Sequence, residues 1–114
     1  MLKTIPELIL QAEQKVNTVK AAEGLSLIKN TTALLIDVRE PEEFNKDHLP
    51  AAINIPRGIL EMQMVGKYPN ANTVIITHCA SGVRAVLAAE QLQRVGYSNV
   101  TAISCKFEDI YSVQ

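Results

Sequence analysis

Residues 73–96, TVIITHCASGVRAVLAAEQLQRVG, decide the fold of this protein. The first five residues, TVIIT, form a nearly unbroken apolar run, which is typical of a strand covered on both faces. A short loop of small residues follows, and then apolar residues recur at helical spacing until Gly96, a residue that commonly ends helices. The order of strand, tight loop and helix predicts an α/β fold with a parallel sheet.

The segments on either side repeat this alternation. Short apolar runs predict further strands, and amphipathic stretches predict helices. The predicted strands are residues 33–38, 52–55, 73–77 and 99–103, and the predicted helical segments are 5–16, 21–29, 41–44, 59–65 and 84–95, with one terminal turn at 107–111. Together they predict a central parallel sheet of about five short strands, flanked by helices on both faces.

Size and composition narrow the class of protein. The 114 residues fit one domain, which we divide into a helical extension, residues 1–16, packed on a main domain, residues 17–114. A formal charge of -1, from 11 basic and 12 acidic residues, disfavours nucleic acid as a partner. No run approaches the roughly 18 apolar residues of a membrane span, and the N-terminal stretch lacks the features of a signal peptide. Two cysteines are too few for a disulfide scaffold or a four-cysteine zinc site, so we expect a cytoplasmic protein without a metal.

Cys79 follows the predicted central strand directly, at the sheet edge where ligand sites of parallel sheets gather. Ser81 and Gly82 allow the backbone to curl, so that several N–H groups and the positive end of the next helix point at the sulfur. Arg84 adds a fixed positive charge. These groups favour the reactive thiolate and an anion attached to it, which makes the loop a candidate cradle for a nucleophilic sulfur. The alternative is a buried structural cysteine, the commoner role of a free cysteine.

Two neighbouring candidates are weaker. His78 has the strand parity opposite to that of Cys79, so its ring should point away from the pocket and it is not expected to be a general base. Cys105 has only Lys106 beside it to activate a thiolate, and we expect no catalytic role for it.

Three segments resemble the signatures of the rhodanese family of sulfurtransferases, in the family's order. They are LLIDVREPEEF at residues 34–44, HLPAAINIP at 48–56 and HCASGVRA at 78–85, and the resemblance extends from residue 19 to residue 113. It implies a rhodanese-like fold in which Cys79 carries a persulfide between two half-reactions. It also implies that backbone N–H groups of the active-site loop bind this persulfide; the loop residues after Cys79 are Ala80, Ser81, Gly82, Val83 and Arg84.

The resemblance further implies three supporting residues. Asp37 and Arg39 would brace the site from the neighbouring strand end, and Arg57 would lie near the pocket rim. For Asp37 and Arg39, a purely structural ion pair is the alternative to direct contact with substrate.

Two departures from the family pattern affect the expected chemistry. Ala80 stands where many thiosulfate-using members have a basic residue, which leaves the sulfur donor open. Residues 103–110, ISCKFEDI, replace the usual leucine, glycine pair and tryptophan, so the terminal turn should pack differently.

The implied activity is transfer of a sulfane sulfur from a donor such as thiosulfate or a persulfide to a thiol or cyanide acceptor, without a cofactor. A sulfur-relay protein is a further candidate partner. The alternatives are a non-enzymatic persulfide carrier, a rhodanese-like regulatory module, and a cysteine phosphatase or arsenate reductase. Retention of Cys79 and Arg84 argues against a regulatory module. Four residues separate Cys79 from Arg84, whereas the phosphatase loop has five, so the ring should be too small for phosphate.

Overall fold

Five parallel strands form the centre of the protein, whose structure is a computed structural model that describes residues 1–113. The strands are β1 (Asn17–Val19), β2 (Leu34–Asp37), β3 (Ile53–Asn54), β4 (Val74–His78) and β5 (Asn99–Ile103). The helices are α1 (Ile5–Glu13), α2 (Ala21–Asn30), α3 (Pro41–Lys46), α4 (Leu60–Lys67), α5 (Val83–Val95) and α6 (Phe107–Val113), and a 3₁₀ turn at Arg57–Ile59 precedes α4.

The sheet has the strand order β1-β5-β4-β2-β3, and every neighbouring pair is parallel. Successive side chains of a strand point to opposite faces. In β4, Ile75 therefore packs in a layer with residues of α1, α4 and α5, whereas Ile76 packs with residues of α2 and α6. The predicted α/β fold, a parallel sheet with helices on both faces, is confirmed.

Strand β1 is the element that the sequence analysis missed. The predicted helix runs to residue 16, but α1 ends at Glu13 and the chain then enters β1. β1 pairs with β5 in the register Asn17↔Thr101 to Val19↔Ile103. Three residues, of which only Val19 is buried, give too short a pattern to predict a strand, and the partner strand lies at the other end of the chain.

Most other elements differ from the prediction by one or two residues at an end, and two cases affect the architecture. The predicted strand 52–55 shrinks to the two residues of β3, and the predicted terminal turn at 107–111 is a seven-residue helix, α6. Phe107 and Ile110 are buried in the layer with α2, and this tertiary packing stabilises a helix that is too short to persist alone. Among residues 1–113, no helix is long and apolar enough to cross a membrane.

The N-terminal segment packs onto the rest of the chain. Ala12 and Val16 are buried in the layer that contains α5. The division into residues 1–16 and 17–114 stays a prediction, and residue 114 lies outside the described residues.

The sheet order brings two strand ends together. β4 lies between β5 and β2, and Asp37 at the end of β2 is in register with His78 at the end of β4. The loop that leaves β4 is therefore next to the segment that leaves β2. The predicted active-site loop after Cys79 and the predicted supporting residues Asp37 and Arg39 meet at this edge of the sheet.

Candidate active site

Cys79 is the first residue after β4, and its side chain is completely buried, at 0% exposure. Its Sγ accepts hydrogen bonds from the backbone N–H of Gly82 at 3.1 Å and from that of Ala85 at 3.2 Å. Ala85 is the third residue of α5, so the sulfur accepts from a first-turn N–H group that has no partner within the helix. Two fixed N–H donors and the positive helix end would stabilise negative charge on this sulfur.

Gly82 gives the loop the shape that directs these donors. Its φ is 95°, in the left-handed region that favours glycine. A Cβ at this position would lie 2.8 Å from the carbonyl carbon of Ser104, so the backbone after β5 closes against the loop. Both the backbone angle and the close approach require glycine here.

Arg84 is held by a carboxylate. Its guanidinium donates to both carboxylate oxygens of Glu43 in α3, at 2.7 Å and 3.0 Å. The hydrogen bond from Arg84 is the main reason that the pKa of Glu43 falls to about 2, and the same bond raises the pKa of Arg84. The sequence predicts that Arg84 supplies a fixed positive charge at the loop, and the structure adds that this charge is paired with Glu43.

Glu43 is the site residue that the sequence analysis missed. The residue lies inside the quoted signature LLIDVREPEEF. It is the third residue of α3, where its carboxylate also accepts the backbone N–H of Glu40 in a capping box. In the sequence, Glu43 is accounted for by its position in the first turn of a helix. Nothing in the sequence indicates that it also pairs with Arg84.

Asp37 and Arg39 form a buried ion pair at the end of β2. The Arg39 Nη2 donates to Asp37 Oδ2 at 2.9 Å, and the Arg39 Nε donates to both carboxylate oxygens. Arg39 also donates to the backbone carbonyl of Asp47 at 2.7 Å, and its guanidinium carbon lies 4.1 Å from the ring centre of Phe107. Arg39 is thus fixed on several sides, and its charge is directed at Asp37.

A cavity of about 360 Å³ lies beside the loop, between α3 and α6. Its charged lining residues are Arg39, Glu43, Lys46, Asp47 and Glu108. Ala80 belongs to its lining together with the stacked rings of Phe107 and Tyr111. The N–H of Phe107 donates to the Ala80 carbonyl at 2.9 Å, so α6 is tied to the loop. Cys79 does not belong to this lining, and its side chain is shielded from solvent.

The remaining residues that the sequence singles out have the following environments. Ser81 is exposed and Val83 is half-buried at the start of α5. The Arg57 guanidinium pairs with Glu61 at 3.2 Å and does not belong to the cavity lining. Cys105 is half-buried, and burial raises the pKa of its thiol, which agrees with the weak activation that its neighbours predict.

His78 lies on the sheet face opposite to Cys79. Its ring stacks on Phe107 with 6.0 Å between ring centres, and its Nε2 lies 3.7 Å from Asp37 Oδ2. Within residues 1–113, neither ring nitrogen has a hydrogen-bond partner. Burial lowers the pKa of His78 from 6.5 to about 4, against the opposing effect of the Asp37 charge.

The low pKa of His78 predicts a specific acid sensitivity of the fold. The unfolded chain binds a proton on this residue below about pH 6.5, but the folded protein binds it only below about pH 4. Stability should therefore be lost as the pH falls from 6.5 to 4, by about 3 kcal/mol in the free energy of unfolding. Urea unfolding of His78→Phe should lack this loss, because phenylalanine does not titrate and can still stack on Phe107. The exposed His48→Gln variant is the control, and an equal acid loss in His78→Phe would contradict the assignment.

Comparison with known proteins identifies relatives over most of the chain. Residues 20–112 match the family described as Rhodanese-like domain. The protein named "Putative sulfur carrier protein YrkF" of Bacillus subtilis is 35% identical over 98 residues, which cover 85% of this chain and 46% of that protein. The thiosulfate sulfurtransferase PspE of Escherichia coli is 34% identical over 65 residues, which cover 57% of this chain and 62% of PspE. The chain thus spans about half to three-fifths of the length of these two relatives.

A solved structure supports the architecture independently. A Rhodopseudomonas palustris protein of unknown function, described as a possible tyrosine phosphatase, superposes with a TM-score of 0.86. The match covers 99% of this chain and 92% of that one, at 24% sequence identity. At this identity the likeness concerns the fold alone.

Proposed function

The chain belongs to the rhodanese-like family, and we propose from this membership that it is a sulfurtransferase in which Cys79 carries the sulfur. The observation that supports this most strongly is the environment of Cys79 Sγ. Two backbone N–H groups at the start of α5 point at the sulfur from 3.1 Å and 3.2 Å. Such donors stabilise a thiolate before and after each transfer without having to reorganise.

Two displacements at sulfur make up the proposed reaction. In the first, the Cys79 thiolate attacks the sulfane sulfur of a donor, and the sulfur–sulfur bond of the donor breaks with release of sulfite or a thiolate. Cys79 then carries the transferred sulfur as a persulfide. In the second, a thiol or cyanide attacks the outer sulfur, takes it, and regenerates the Cys79 thiolate.

The buried position of Cys79 adds a requirement to this mechanism. Because the side chain of Cys79 is 0% exposed, we propose that a donor reaches Sγ when the loop from Cys79 to Arg84 moves relative to α3 and α6. Two contacts resist that movement, namely the bond between Phe107 and Ala80 and the ion pair between Arg84 and Glu43. We propose that the cavity beside Ala80 is the entry side for the donor and that Asp37 and Arg39 support its wall. The cavity lining supports no corresponding role for Arg57.

The names of the relatives suggest which sulfur donors and acceptors to expect. One is named a sulfur carrier and another a thiosulfate sulfurtransferase. We propose a small sulfane donor or a sulfur-relay protein as the partner on one side, and a thiol acceptor on the other. The two free cysteines are consistent with the cytoplasmic location expected from the sequence.

Loading of the purified protein with a sulfane donor tests the proposal directly. Incubation with thiosulfate or a thiol persulfide should add 32 Da, the mass of one sulfur atom, to the peptide that contains Cys79. Cyanide should then remove the added mass and release thiocyanate. The Cys105→Ser variant should load to the same extent, because burial disfavours its thiolate. An adduct on Cys105 alone, or none with any donor, would refute the proposed function.

A cysteine phosphatase is the alternative function considered from the sequence, and the Rhodopseudomonas palustris protein is described as a possible tyrosine phosphatase. A phosphoryl group has three equatorial oxygens and needs a ring of N–H donors around open space above the sulfur. Here the loop between Cys79 and Arg84 holds four residues, one fewer than the phosphatase loop, so the ring of donors is smaller. We therefore expect aryl phosphates to be hydrolysed no faster by the protein than by Cys79→Ser, as followed by phenolate release. Cys79-dependent hydrolysis would favour the phosphatase.

A further inference from the structure

We propose that Glu43 determines donor selectivity, by neutralising Arg84 so that the site prefers a neutral persulfide donor over the thiosulfate dianion. This inference rests on the proposed sulfurtransferase function and deepens it. Glu43 is assigned as a specificity-determining residue that acts through Arg84.

Glu43 occupies both Nη atoms of the Arg84 guanidinium, which leaves little of this group free to bind a substrate. Both carboxylate oxygens accept from Arg84, at 2.7 Å and 3.0 Å, which is the bidentate arrangement that guanidinium groups also use for oxyanions. About a third of each side chain is exposed, and Glu43 belongs to the cavity lining. A sulfonate group could bind Arg84 only by displacing the Glu43 carboxylate.

Arg39, the arginine that lines the cavity, is likewise paired with a carboxylate. Arg39 is 4% exposed, and its Nε and Nη2 both donate to Asp37. Its Nη2 donates in addition to the Asp47 carbonyl, and its Nη1 lies 3.9 Å from the Asp47 carboxylate. Neither arginine therefore offers a free cationic face to an incoming anion.

The other charged residues of the cavity lining do not supply the positive charge that an anionic donor would need. Its lining contains the carboxylates of Asp47 and Glu108 in addition to Glu43. Lys46 is the remaining lining cation, and it is exposed at the last residue of α3, where solvent screens its charge. Ala80 contributes a methyl group next to the aromatic ring of Phe107. The surface that a donor meets is apolar at the loop and acidic at its border.

The charge of the donor then matters for the first half-reaction. Thiosulfate carries two negative charges, and its attack by the Cys79 thiolate gathers three negative charges until sulfite leaves. A persulfide with an uncharged R group reacts as an electrophile in its protonated form, RSSH. The thiolate takes its outer sulfur and R–S⁻ leaves, so the reacting pair carries one negative charge throughout. Because both arginines are paired with carboxylates and solvent screens the charge of Lys46, the transition state with thiosulfate is the more strongly opposed.

The test measures how fast Cys79 is loaded from two donors in Glu43→Gln. Glutamine keeps the length of the side chain and can still complete the capping box of α3, so the variant should fold. The donors are thiosulfate and 2-hydroxyethyl persulfide, and the readout is the rate of the 32 Da addition in a single turnover. We expect the ratio of the thiosulfate rate to the persulfide rate to rise about fivefold or more. The gain in thiosulfate loading should shrink with added salt, because it reflects a freed charge.

Glu42→Gln is the matched control, because it removes the same charge from an exposed position of the same helix. Its donor ratio should equal that of the parent protein. A ratio in Glu43→Gln that stays at the parent value, or an equal loss of loading with both donors, would overturn the selectivity role. Failure of the unmodified protein to load from either donor would instead refute the proposed function itself, so the two failures are distinguishable.

Discussion

Cys79→Ser is expected to lose sulfur transfer down to the background rate, a fall of roughly 10⁴-fold or more for a residue that forms the covalent intermediate. A serine hydroxyl is not ionised near neutral pH, and its oxygen cannot hold a sulfane sulfur in the required sulfur–sulfur bond. The fold should survive, because serine differs from cysteine in a single atom and its oxygen can accept the N–H groups of Gly82 and Ala85. Cyanide-dependent thiocyanate release and thermal unfolding measure the two effects.

Cys105→Ser is the matched control for this experiment. The same atom is changed, but the residue is half-buried and lies outside the lining of the cavity beside the loop. Its activity should remain close to that of the parent protein. Transfer by a folded Cys79→Ser variant at the parent rate would show that another group carries the sulfur.

Gly82→Ala is expected to be the most damaging change in the loop that leaves Cys79 itself intact. An alanine at φ 95° costs roughly 1–2 kcal/mol, because its Cβ meets the neighbouring backbone. The contact at 2.8 Å with the carbonyl carbon of Ser104 adds an overpacking cost of roughly 1–3 kcal/mol, since backbone cannot move aside cheaply. Any relaxation displaces the Gly82 N–H from Sγ, so we expect a fall in activity of roughly 10²-fold.

Gly96→Ala separates the cost of a positive φ from the cost of the close contact with Ser104. Gly96 also has a positive φ, 128°, but a Cβ there would meet nothing within 4 Å. This variant should lose only the backbone cost in urea unfolding, and it should keep its activity because it lies at the far end of α5. If Gly82→Ala were no less stable and no less active than Gly96→Ala, the close packing of Ser104 on the loop would have no role in shaping the site.

The central strand and its loop could be predicted from the sequence because the information there is local. The apolar run of β4, the small residues after Cys79 and the helical spacing of α5 are contiguous, and each follows from backbone sterics and side-chain periodicity. The same parity argument separated His78 from Cys79, and the structure finds the two side chains in opposite layers. β1 escaped prediction because an edge strand of three residues depends on β5 for its existence.

The sequence by itself determined the fold class, the family and the candidate nucleophile, since these depend on short segments read in order. Only the tertiary structure decided how the charges of the site are distributed. It paired Arg84 with Glu43 across 41 positions of the chain, buried Arg39 between Asp37 and Asp47, and tied Phe107 to Ala80. The physical reason is that an ion pair depends on distances of 3 to 4 Å between side chains of different elements. Sequence spacing does not encode such distances until the sheet brings the ends of β2 and β4 together.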